Sequence, residues 1–467
     1  MSGLGDDRLL PAEPSTRAIA RRIFAEIAEL PIISPHSHVD AGMLATNRPF
    51  ADPAELFVTA DHYVTRLLHA SGVDLARLGV GPQRSGDRPA SREIWRLFCE
   101  HWPVFSGTAS GLWIEATLRT VFEMPSPSAA TADALYEELS ALLRLEQFRP
   151  QALLNRFGIE VIATTDDPLD DLRHHRALGE DPAVLPRIAP TFRPDPYIDP
   201  STPGWAGLLD RLGEATGRDT HSHAQYLAAL TDRRQHFRRN GAFSADLGVH
   251  RPQSLRLDDA AAAALFSQVR SGGATSAEHA AFRAHMLYQM ARMSAEDGLV
   301  MTLHPGVFRN HHRPTLDAFG PDSGHDLPVP TTFVEGLRPI LEDFGTAPGF
   351  HLVLFTVDET TWSRELAPLA GFYPSVYLGA PWWFLDAPDA LQRFRSAVTE
   401  TAGFSRYSGF IDDTRALCSI PVRHDTARRV DAAYLARLVA EHRLTEDRAI
   451  EIAIDTVARL PRKVFKL

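Results

Sequence analysis

The side chains with the most chemical reach stand at opposite ends of the chain, His36-Ser37-His38 near its start and Asp412-Asp413-Thr414-Arg415 near its end. Two neutral imidazoles presented together are good ligands for a borderline divalent ion such as zinc, and a carboxylate brought from elsewhere completes such a set. The histidines follow the apolar run Leu30-Pro31-Ile32-Ile33, which reads as a strand ending in His36 and His38. Alternation along a strand then turns both rings to one face. Asp413 is the candidate carboxylate. Arg415, two positions on, falls on the same side as Asp413 and brings a planar guanidinium suited to an oxyanion.

The elements that must position these groups can be read from the short apolar runs, each ending in polar residues and separated by helical patterns. Eight such runs occur: Leu30–Ile33, Ile159–Ala163, Ile188–Phe192, a weaker one at Gly241–Ala245, Leu299–Leu303, Leu352–Val357, Val376–Leu378 and Tyr407–Ile411. Between the later ones, Val334, Leu337, Leu341 and Phe344 recur at helical intervals, as do Leu391, Phe394 and Val398, with Asp386 as a cap and Gly403 as a stop. Strands alternating with helices in this number predict an α/β fold, a decorated (β/α)8 TIM-type barrel, in which the carboxyl ends of the strands carry the site. Those ends hold the chain's histidines, aspartates and arginines.

A barrel needs only ~250 residues, so the rest of the 467 must be insertions. The larger is expected after the first strand at approximately 51–150, where Leu135, Leu139 and Leu142 keep helical spacing, and a smaller helical one at approximately 255–293. With no internal repeat and no low-complexity linker, residues 1–467 read as one decorated domain.

Composition narrows the partner. A formal net charge of -11 with no long basic run argues against nucleic acid and against an anionic membrane surface. No apolar stretch approaches the ~20 residues of a membrane span, and no secretory pattern opens the chain. Cys99 and Cys418 are the only cysteines, which excludes a disulfide framework and fits a cytoplasmic, reducing setting. Cys418 reads as a buried, inert thiol. The expected partner is a small molecule, and a homo-oligomer is an open state for such a chain.

Over nearly its whole length the chain resembles the uronate isomerases of the amidohydrolase superfamily. The motifs Pro35-His36-Ser37-His38, Asp61-His62-Tyr63, Thr164-Thr165-Asp166-Asp167, Phe192-Arg193-Pro194-Asp195, Trp382-Trp383-Phe384 and Asp412-Asp413-Thr414-Arg415 fall where that family has such motifs, in the same order. The resemblance implies an aldose–ketose isomerase acting on a hexuronate, D-glucuronate to D-fructuronate or D-galacturonate to D-tagaturonate. It implies a divalent metal, zinc by preference, on His36, His38 and Asp413, with His304 close by as a substrate contact. His62 and Tyr63 resemble substrate contacts from the insertion, and Arg193 and Arg415 resemble the arginines that hold the sugar acid. Asp413, Arg415 and Tyr63 are then the candidates for proton transfer and oxyanion stabilisation.

Arg309, Trp382 and Trp383 are further candidates for substrate contact, against a capping or surface role for the arginine and core packing for the tryptophans. His311 and His312 in a polar loop, and His174 and His175 in a charged helical stretch, are assigned to solvent. One departure stands out: where the family usually has Asp-His-Gly after the fourth strand, this chain has Asp246-Leu247-Gly248. Two other readings follow from the same residues. One is a metal-dependent hydrolase of the superfamily, which would often need a lysine on the fourth strand and a histidine on the sixth, neither of which is present. The other is a non-catalytic sugar-acid-binding barrel.

Overall fold

The computed structural model describes residues 4–82 and 89–467. Its parallel strands fall into two sheets. The first joins β1 (Ile32–Ser34), β2 (Ile159–Ala163) and β3 (Arg187–Ala189); the second runs in the order β4 (Ser244–Leu247), β5 (Val300–Leu303), β8 (Leu352–Leu354) and β9 (Val376–Leu378). A short antiparallel hairpin, β6 (Val307–Phe308) with β7 (Leu327–Pro328), stands apart. β4, β5, β8 and β9 are wholly buried, as strands covered on both faces must be, whereas β3 opens on the exposed Arg187.

Single parallel pairs continue the ladders beyond the strand ends. Phe192 pairs with both Asp166 and Ala245, and Leu378 pairs with Tyr407. On the far side, the His38 amide donates to the Thr414 carbonyl at 3.0 Å, tying the segment after β1 to the segment that carries Asp413.

The helices that bear on the site are α1 (Pro14–Ile27), α2 (His62–Ala70), α3 (Ala109–Val121), α4 (Arg173–Glu180), α5 (Arg338–Phe344), α6 (Pro388–Ala402) and α7 (Ile420–Ala440). The described residues between β1 and β2 form several helices, including Ser91–Glu100 and Ala132–Leu142, and pack a core around Trp95, Phe98, Leu118 and Leu139 that also takes in Ile32, Ile159 and Ile162. Asp259–Arg270 and Ser276–Asp297 form the helices between β4 and β5. No helix among the described residues is long and apolar enough to cross a membrane.

Several boundaries differ from the pattern reading, for local physical reasons. β1 stops at Ser34 because Pro35 has no amide to give the ladder, so His36 and His38 lie in the following loop and not in the strand. Pro190 likewise ends β3 early. β4 lies further on than expected and takes in Asp246 and Leu247; Leu247 is wholly buried in the core. The Tyr407–Ile411 run is buried yet forms no strand, since Gly409 turns at φ 87, with Pro461 packed where a side chain would be. Asp386 does not cap α6, whose cap is Ala387. Gly403 ends α6 as expected, and α5 begins only at Arg338, leaving Val334 outside it and exposed.

Candidate metal and substrate site

Loop geometry, rather than strand alternation, brings the two histidines together. Ser37 is pinned by three hydrogen bonds: its hydroxyl donates to the Ala163 carbonyl at 2.7 Å and accepts from the Val39 amide at 3.3 Å, and its carbonyl accepts from the Thr165 hydroxyl at 2.8 Å. With their middle residue held, His36 and His38 set their rings edge to face, 5.2 Å apart. Their Nε2 atoms stand 3.2 and 3.1 Å from one oxygen, Asp413 Oδ1. That buried oxygen makes no hydrogen bond, so the approach of the rings does not satisfy it.

His304, just beyond β5, completes the cluster. Its ring stacks on His36 at 4.8 Å and on Phe355 at 3.9 Å. Nδ1 donates to Asp246 Oδ1 at 2.6 Å, which leaves Nε2 buried and without a hydrogen-bond partner. A carboxylate behind an imidazole fixes its tautomer and leaves the other nitrogen free to ligate. Donor atoms of His36, His304 and Asp413 all lie within 4.8 Å of one another. Burial opposes charge on Asp413 and Asp246 alike, but the imidazoles around each, with Arg193 beside Asp246, hold both carboxyls well below their ordinary values. Buried nitrogens and a carboxylate oxygen, unsatisfied by each other, fit a borderline divalent cation.

A cavity of about 390 Å³ opens in front of this cluster, lined among others by His38, His62, Tyr63, Arg309, Asp413 and Arg415. Asp61 caps α2 by accepting from the Tyr63 amide at 2.8 Å, and the first turn of that helix delivers His62 and Tyr63 to the wall, their rings stacked at 5.1 Å. Trp383 takes a left-handed conformation, φ 53, and faces His62 at 5.4 Å; Arg309 lies over its ring at 4.7 Å. Trp382 stands edge-on to His304 at 4.8 Å, and both tryptophans line the cavity.

The arginines differ in how far they are already engaged. Arg193 is held by Asp195 at 2.8 Å and Asp246 at 3.2 Å, and Arg309 by Asp326 at 3.1 Å. Arg415 makes no hydrogen bond among the described residues; its nearest carboxylate, Asp322, is 3.8 Å away, and the side chain is 45% exposed. Arg415 is therefore the guanidinium with the most donors free for an anionic guest.

The structure also gives residues contacts that the sequence did not foresee. Arg423, at the start of α7, reaches the cavity wall and pairs with Asp386; burial lifts the Asp386 carboxyl to about 7 against the pull of that arginine. The periodic pattern around Asp386 suggested a helix cap, and only the pairing with a residue far along the chain reveals otherwise. His175, assigned to solvent, is buried instead, its Nε2 at 2.8 Å from the Thr164 hydroxyl; burial pushes its pKa down to about 4. His311 and His312 are exposed as expected, and the Cys418 thiol is buried and raised to about 12.

Comparisons with known proteins fall in line with this geometry. A family model described as glucuronate isomerase matches residues 14–459. A uronate isomerase of Corynebacterium efficiens is 52% identical over 463 residues, covering 99% of this chain and 98% of that protein. Among solved structures, a glucuronate isomerase from Caulobacter crescentus superposes with a TM-score of 0.96 at 44% identity, over 99% of this chain and 97% of the other. A uronate isomerase from Thermotoga maritima gives 0.93 at 29% identity, with both chains covered in full, 100% each.

Proposed function

The chain belongs to the glucuronate isomerase family, and from that premise we propose how its residues carry out the aldose–ketose interconversion of D-glucuronate and D-fructuronate. The observation that carries the reading is the convergence of His36, His38 and Asp413 on the floor of a cavity whose wall holds Tyr63 and Arg415. His36, His38 and Asp413, with His304 beside them, would hold a divalent ion, zinc being the one their nitrogen and carboxylate donors suit. When bound, it supplies positive charge where the sugar oxygen becomes anionic.

The protein side chains do the rest. A uronate has a carboxylate at one end and an aldehyde at the other; Arg415 is free to receive an anionic oxygen, and Arg193 and Arg309 border the same space. Isomerisation takes a proton from the carbon beside the carbonyl, passes through an enediol and returns a proton to the former carbonyl carbon. Asp413, ionised by its surroundings, is the base, Tyr63 protonates the oxygen on the opposite side, and Arg415 stabilises the enediolate. Trp383 and His62 pack against the sugar, while Trp382 keeps His304 in place.

We also read the two sheets, with the Tyr407–Ile411 segment standing in the eighth place, as one closed TIM-type barrel within a single domain, decorated by the helices at approximately 51–150 and 255–293. Support comes from the single-residue pairs at Phe192 and Tyr407 and from the hydrogen bond between His38 and Thr414. The free thiols of Cys99 and Cys418 fit a cytoplasmic location.

Proton NMR of the metal-loaded protein with D-glucuronate or D-galacturonate in deuterated water tests the activity, and the expected result is formation of the ketouronate with solvent deuterium entering the sugar. Absence of turnover on both sugar acids would overturn it. Arg415→Lys keeps a charge but loses the two-pronged geometry. It is expected to lower kcat by about 10-fold or more with KM little changed, a hydrogen bond to a charged group being worth ~1.5–3 kcal/mol; an unchanged kcat would move enediolate stabilisation to another group.

A further inference from the structure

One buried charged pair borders the site with no part in the steps above. Arg423 donates to Asp386 Oδ2 at 2.8 Å, and the two side chains are only 4% and 6% exposed. The same carboxylate oxygen receives the Tyr63 hydroxyl at 3.4 Å. Arg423 is itself clamped, its Nε donating to the Ser419 hydroxyl at 3.2 Å and its guanidinium lying 3.7 Å from the centre of the Trp113 ring on α3.

Burying such a pair is a poor way to gain stability, because the desolvation of two charges offsets most of their attraction, and apolar residues of similar volume often serve as well. Apolar residues could not accept a proton from a phenol. Asp386 precedes α6 and Arg423 opens α7, whereas Tyr63 comes from α2 in the inserted region, so the pair links a side chain of the insertion to the frame that carries Asp413. At 3.4 Å the phenol is tethered rather than locked, since a strong O–H···O bond is nearer ~2.7 Å. Its hydroxyl is thus held at the cavity wall and remains able to turn towards a substrate oxygen.

We propose that Asp386 is a positioning residue for the isomerisation, aiming the Tyr63 hydroxyl at the substrate, and that Arg423 fixes Asp386 for that task. The proposal rests on the reading of Tyr63 as the proton-transferring phenol, and a double-mutant cycle separates the two. In the metal-loaded enzyme, Asp386→Asn is expected to lower kcat by about 10- to 100-fold, the scale on which a displaced group loses catalysis, with KM little changed. In a Tyr63→Phe background the same substitution should cost nothing further, because residues acting as one unit are not additive. Arg423→Lys, which keeps the pair charged and alters only its geometry, repeats the cycle and should behave likewise even if Asp386→Asn folds poorly. An equal loss in both backgrounds, or an unchanged kcat in the folded single variants, overturns the proposal alone. Full turnover in Tyr63→Phe overturns the assignment of Tyr63 and the proposal with it.

Discussion

Asp413→Asn is expected to cut turnover by about 100- to 10,000-fold, the usual worth of a proton-transfer group, without unfolding the chain. The carboxylate faces both histidines through one oxygen and lines the cavity, so on the proposed reading the substitution removes a ligand charge and a base together. Asparagine is the right replacement because the residue sits at φ 44, a left-handed conformation that asparagine tolerates and most residues do not. Its neighbour serves as the control. Asp412 is buried and pairs with His424 Nε2 at 3.1 Å, away from the cluster, so Asp412→Asn should lower the melting temperature more than it lowers kcat. Steady-state kinetics and thermal melts of the two variants check this, and a reversed pattern would put the catalytic carboxylate one residue earlier.

The second large effect is loss of the metal. Wild-type protein dialysed against zinc and then freed of excess should retain a single ion per chain, while the His36→Ala, His38→Ala double variant should retain none and should be inactive. A ligand that binds only the folded state at ~100 times its Kd adds about 2.7 kcal/mol of stability, so zinc should raise the melting temperature of the wild type and leave that of the double variant unmoved. Elemental analysis and calorimetry give independent readouts. Equal metal content in the two proteins would remove these histidines from the site.

How far the sequence discloses this site depends on how local each cause is. His36, His38 and Asp413 were legible because their types limit what they can do, and β2, β5 and β9 because buried parallel strands are dominated by apolar residues. The proline at 35 was equally visible, yet its effect is to move the histidines out of β1 and into a loop, where Ser37 and not strand alternation sets their directions. The last of the expected strands failed because Gly409 is needed against Pro461, a contact between distant segments that no short window contains. Asp386 and His175 were misread for the same reason. A charged residue in a polar stretch looks solvated or capping until its partner, Arg423 or Thr164, is brought to it by the fold.

The hydrogen bond from His38 to Thr414 has a consequence for how the protein is made. His36 and His38 are synthesised before β2 to β9 and Asp413 after them, so on the proposed reading the nascent chain carries the histidines through the making of those strands without their carboxylate. Contacts between segments so far apart form late, after the intervening elements have shortened the loop that joins them. On the proposed reading, capture of the ion waits until Asp413 has been made and brought back to His38, and a chain cut short before Asp413 lacks the carboxylate of that site.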